Sequence, residues 1–194
     1  MDWLISALTA TFNVAIIVTL TFLYLFYRER ERFLWFWFLS WSAYSYRLII
    51  HLAILLDMMP PWMIFGQHAA SIISAIFFIW GTYQFLDKDF PKPWFYFAGA
   101  VTVWTLAATL ADFSFMAQNI AVSLYLGLVY FSSGVVILRH HPIEGAGKQI
   151  FGWSLILWGI HIADYPFLRT VPWFAPWGYL LASVLFLVSA MSMI

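Results

Sequence analysis

Polar and ionisable side chains stand out in this chain because they interrupt long apolar runs. One run carries Ser40, Tyr44, Arg47 and His51, spaced to share a helical face. A second carries Gln67 and His68, with Ser71 and Ser74 continuing the stripe from Gln67. A third carries Ser154, Trp158, His161 and Asp164. Such a set is open to three kinds of chemistry. His51, His68 and His161 with Asp164 are zinc ligands by type, leaving a coordination position for water. Two imidazoles facing each other at one depth suit the axial positions of haem b. Arg47, Tyr44, Trp158 and the same histidines could instead line a pocket that holds a small apolar or amphipathic ligand. A plainer role competes with all three. Intramembrane His, Asn, Gln, Ser and Thr join helices through hydrogen bonds worth about 0.6 kcal/mol each.

The elements that must position these residues follow from composition. The 194 residues are 64% hydrophobic, 22% aromatic and 9% charged, with mean hydropathy +0.86. A soluble domain draws on about 25% charged residues for its surface, so the partner of this surface is a lipid bilayer. Zero net charge without a basic run excludes disorder and nucleic-acid binding. The absence of cysteine excludes disulfides, thiolate metal sites and iron–sulfur clusters. A membrane helix takes about 20 mainly apolar residues. Reading between charge and proline clusters gives seven spans: 3–27, 34–56, 62–86, 94–111, 117–138, 150–168 and 177–194. The runs are continuous rather than alternating, which is helical and not barrel patterning. The expected fold is one all-α domain, 1–194, a seven-transmembrane helix bundle whose short loops make successive helices antiparallel neighbours.

Charge sets the expected orientation. Arg28, Arg30, Arg32, Lys88, Lys92, Arg139 and Lys148 fall in alternate loops, so the N-terminus lies outside and the C-terminus in the cytoplasm. Trp3, Trp62, Trp173 and Trp177 then mark the outer interface, and Trp35, Trp37, Trp80, Trp94 and Trp153 the inner one. His140 and His141 fall in a solvated inner loop. At 1.5 Å per residue, His51, His68 and His161 lie roughly 9 to 12 Å below the outer ends of their helices. Arg47 is about a turn deeper and Asp164 about a turn shallower. An outward-opening polar pocket is the economical explanation, with Asp164 or a ligand carboxylate as the counter-ion of Arg47. The threonines of the fourth span, Thr102, Thr105 and Thr109, suit packing, since a hydroxyl can bond the preceding turn.

Gly152-Trp153, Leu157-Trp158-Gly159-Ile160-His161, Ala163-Asp164-Tyr165-Pro166-Phe167-Leu168-Arg169 and Trp173-Phe174-Ala175-Pro176-Trp177-Gly178 form a dense signature. It resembles the N-terminal membrane region of bacterial multidomain signalling proteins, in which seven helices precede a PAS domain and a histidine kinase or diguanylate cyclase. The resemblance implies a signal-input domain in the bacterial inner membrane, multi-pass and homodimeric through the full-length protein. No polar flank follows the seventh span, which suggests that a cytoplasmic output module follows. Kinase or cyclase activity would reside there, so this chain itself is not expected to be an enzyme. Pro166 should kink or end the sixth span, and Tyr165, Phe167, Trp173, Phe174 and Trp177 could form an aromatic lid.

Other sites fit less well. No span contains a lysine for a retinal Schiff base, and there is no HExxH motif. Seven-helix zinc hydrolases of the ceramidase kind carry His-x-x-x-His on the last helix, and the seventh span has no histidine. The expected function is a membrane sensor that binds a small ligand or redox cofactor in the outer half. A haem-binding electron-transfer protein is the alternative, and an intramembrane metal-dependent lipid hydrolase the second.

Overall fold

The computed structural model describes residues 2–140 and 145–192. All regular elements among them are helical. They are α1 (Asp2–Glu29), α2 (Arg32–Leu55), α3 (Ile64–Phe85, after a 3₁₀ turn at Pro61–Met63), α4 (Pro93–Leu110), α5 (Phe115–Arg139), α6 (Ala146–Ala163), α7 (Tyr165–Leu168) and α8 (Ala175–Met191). Each expected segment contains one long helix. The sixth breaks at Asp164, because Pro166 cannot donate to the ladder and restarts the chain as the single turn α7. His141 and the last two residues of the seventh expected segment lie outside the described residues.

Helices α2, α3 and α4 stop in the same way. Asp57, Asp87 and Asp112 each adopt left-handed φ of 51–56°. The amide of the next residue bonds five residues back, Met58 to Ala53, Lys88 to Tyr83 and Phe113 to Ala108. This six-to-one closure normally favours glycine, and aspartate is among the few L-residues that tolerate it.

Helices α1, α3, α4 and α5 are long and apolar enough to cross a membrane. The outward faces carry exposed Ile17, Leu20, Val103, Leu128 and Val184, a surface that suits a membrane-embedded protein and not water. In α2 the apolar run is diluted by Arg47, His51 and several Trp, Tyr and Ser side chains. At 17 residues, α8 is short.

Helices α1, α2, α3, α5, α6 and α8 form a closed ring, with α8 returning to α1; α4 packs outside on α3 and α5, and α7 rests on α5, α6 and α8. Aromatic rings fill the centre. Trp158 stacks on Tyr130 at 3.9 Å and on Trp41 at 5.6 Å, with Tyr44, Phe78 and Phe186 also around it. Trp37 belongs to this core rather than to an interfacial belt: it is buried and its Nε1 donates to the Phe78 carbonyl. The α5–α6 seam depends on glycine. A Cβ on Gly127 would stand 2.8 Å from the Gly159 carbonyl oxygen, and one on Gly134 only 2.5 Å from that of Gly152. Short polar contacts join the other seams, among them Ser40 to Ser74, Ser154 to Ser189, and Ser183 to Thr11. The hydroxyls of Thr102, Thr105 and Thr109 bond their own preceding turns.

Candidate functional site

Between the aromatic centre and α7 lies a cavity with about 60 Å³ open to the centres of water-sized spheres. That is room for about four waters, at ~10–15 Å³ each. Six of the seven residues singled out from the sequence line it: Tyr44 and Arg47 from α2, His68 from α3, Trp158 and His161 from α6, and Asp164. Gln67, Ser71, Asn119 and Ser123 contribute from α3 and α5. Of the aromatic residues expected as a lid, Tyr165 and Phe174 line the cavity, whereas Phe167, Trp173 and Trp177 are exposed.

His51, the seventh, stands behind the wall in a chain of hydrogen bonds. Its Nδ1 lies 2.9 Å from Gln67 Oε1, and its Nε2 lies 3.1 Å from the Tyr179 hydroxyl. An amide oxygen only accepts, so Nδ1 carries the proton and Nε2 accepts from Tyr179. Tyr179, having given its proton to His51, accepts in turn from the Tyr165 hydroxyl at 3.3 Å. The chain therefore has one direction and ties α7, α8, α2 and α3 together.

His161 is held by the same logic. Its Nε2 donates to the Gly178 carbonyl of α8 at 2.9 Å. Its Nδ1 faces Asp164 Oδ1 at 3.6 Å, an ion pair when the imidazole is charged. The expected pairing of Asp164 with Arg47 is therefore not what the structure shows. His161 stands three residues before Asp164, one helical turn away, and takes the contact. Among the described residues no carboxylate pairs with Arg47, whose guanidinium lies 5.2 Å from the centre of the Tyr44 ring.

Several polar atoms around the cavity have no partner. His68 Nε2, Trp158 Nε1 and Arg169 Nε are buried without a hydrogen bond, Asp164 Oδ1 has only its 3.6 Å contact with His161, and all four residues line it. Buried polar atoms are ordinarily paired, so these atoms find their partners in what fills the cavity, water or ligand.

Metal and haem fit this donor set poorly. Both nitrogens of His51 are engaged, as are both of His161, which leaves His68 Nε2 as the free imidazole nitrogen among the three. Neither a bis-imidazole haem nor a three-histidine zinc centre can form without breaking those contacts. Among the described residues no cluster of three or more His, Asp or Glu is arranged to hold a metal ion.

Tyr179 and Arg169 were not legible as site residues. Arg169 reads in sequence as a loop charge, yet it reaches the cavity and sits beside Tyr165 and Tyr179. The signal for Tyr179 was the hydroxyl pair Tyr179 and Ser183, one turn apart in the outer half of the mostly apolar α8. Comparison of the chain with protein-family models, with curated proteins and with solved structures gives no match.

Proposed function

We propose that the chain crosses the bacterial inner membrane seven times, N-terminus outside, and is the signal-input domain of a larger signalling protein. A small ligand occupies the cavity and sets the position of α7 and α8 against the other helices. The observation that carries this reading is the convergence on one cavity of three buried polar atoms without a hydrogen bond, His68 Nε2, Trp158 Nε1 and Arg169 Nε, beside the unpaired cation of Arg47. A bundle needing only helix–helix glue would pair those atoms with one another. The walls also suit transmission. Tyr179 and Gly178 of α8 are bonded to residues of α2 and α6, so a change at the cavity alters the seat of α8. The resemblance of 152–178 to bacterial membrane sensors points the same way.

The chain has no cysteine, so engineered labels are specific. Spin labels on Asp89→Cys and Met191→Cys report the position of α8 relative to the α3–α4 turn. Filling the cavity from within, by Ala182→Phe, should shift their mean separation by about 2 Å or more, on the scale of helix shifts in switching proteins. An unchanged distance distribution, with the bundle still folded, would sink the sensor reading.

A further inference from the structure

Arg47 is a cation without an anion. Among the described residues it has no carboxylate within ion-pair distance, and its guanidinium rests over Tyr44 inside the bundle. An uncompensated charge at membrane depth is costly, and such residues mark functional sites. Beside it, the Tyr44 ring stands edge-on to Trp158 at 6.1 Å. Trp158 is 0% exposed, yet its Nε1 has no acceptor. The indole cannot turn to find one, because Tyr130 and Trp41 stack on it. His68, 2% exposed, brings a second unpartnered nitrogen, Nε2, to the same cavity.

Indole and guanidinium groups only donate. The complement of this corner is an acceptor, and charge balance makes it an anion. Asp164, just past the end of α6, lies about 9 Å beyond Trp158, and its carboxylate already gives the shallow end an anion. His161 offsets that carboxylate at 3.6 Å, and Arg169 stands on the same rim. The favourable place for negative charge is the deep corner of Arg47, Trp158 and His68. A planar carboxylate matches the guanidinium fork. The cavity holds such a headgroup with room left for a short apolar chain. Part of the remaining wall is apolar, with Val122 and Leu126 on α5 and Ile162 and Leu168 beside them, and Asn119 and Ser123 lie between.

We propose that the cavity binds an amphipathic carboxylate, with its head between Arg47, Trp158 and His68 and its alkyl tail along α5. This rests on the reading of the cavity as a ligand site. The test is equilibrium dialysis of radiolabelled octanoate, octanol and octyl phosphate against the full chain in zwitterionic nanodiscs, with empty discs subtracted. Octanoate should bind saturably at one site, and octanol about tenfold more weakly, since it lacks the charge-assisted bonds. Arg47→Gln should bring octanoate down to the level of octanol and leave octanol unchanged. Arg47→Lys, which keeps a cation, should recover part of the preference, and it stands in if Arg47→Gln does not fold. Octanol binding as tightly as octanoate, or octyl phosphate about tenfold more tightly, would overturn the carboxylate. If that binding is still lost in Ala182→Phe, the cavity remains a ligand site for another class. No saturable binding of any probe overturns the carboxylate proposal. An unmoved α8 in the labelled Ala182→Phe protein separately removes the sensor.

Discussion

Tyr179 shows how much depends on one hydroxyl. Its oxygen donates to His51 Nε2 and receives from Tyr165, so removing it breaks two contacts and leaves an imidazole nitrogen bare. Tyr179→Phe should therefore cost about 1–2 kcal/mol, near the upper end for interhelical hydrogen bonds in membrane proteins. Denaturant titration in mixed micelles measures it. A double-mutant cycle with His51→Leu should show coupling, and strictly additive effects would mean the bond is absent in solution. His51, Arg47 and His161 were legible in the sequence, since a polar side chain in an apolar run is conspicuous. Their partners were not. Depth arithmetic placed Arg47 and Asp164 within reach of each other, but it carries no information on azimuth, and azimuth turned Asp164 toward His161.

At the scale of helices, the ends of α1 to α5 were legible because aspartate, proline and charge clusters end the apolar runs there, whereas the single turn α7 beyond the break at Asp164 was not. Nor was the packing. Hydropathy alone does not mark α4 as peripheral, since α1, α3 and α5 of the ring are also apolar enough to cross a membrane. One signal was available: Gly127 and Gly134 stand seven residues apart on α5, as do Gly152 and Gly159 on α6. Two antiparallel helices with that spacing can meet backbone to backbone twice, in a single register. Gly134→Ala would drive a methyl to 2.5 Å from the Gly152 carbonyl oxygen. It should destabilise the bundle by about 1–3 kcal/mol, as overpacking does. Gly99→Ala on α4 meets nothing within 4 Å, and should stabilise by about 0.5–1 kcal/mol through helix propensity. Thermal melts of both in nanodiscs should move in opposite directions. The α5–α6 seam is held by glycine contacts, whereas α8 meets its neighbours through hydrogen bonds and the packing of Phe186.

For the whole molecule the decisive prediction is topological. Reporter fusions after Glu31, Asp89 and Gly145 should register cytoplasm, and those after Pro60 and Ala175 the outside. An even number of crossings would end the seven-span reading. The ring order also explains why the site spans so much of the sequence: α8 closes against α1, which brings Tyr179 to His51 across 128 positions. The left-handed aspartates at the ends of α2, α3 and α4 bear on how such a ring is made. Each stop is completed within six residues of backbone, Ala53 to Met58 for the first. A segment emerging during synthesis is thus cut to length before it has a neighbour to lean on. Hairpins can enter the bilayer in order, each already measured. The cavity alone must wait, since its walls come from both halves of the chain. Within this bundle the cavity is the last part to form, and a nascent chain that stalls before α8 has its helices in place but no closed cavity.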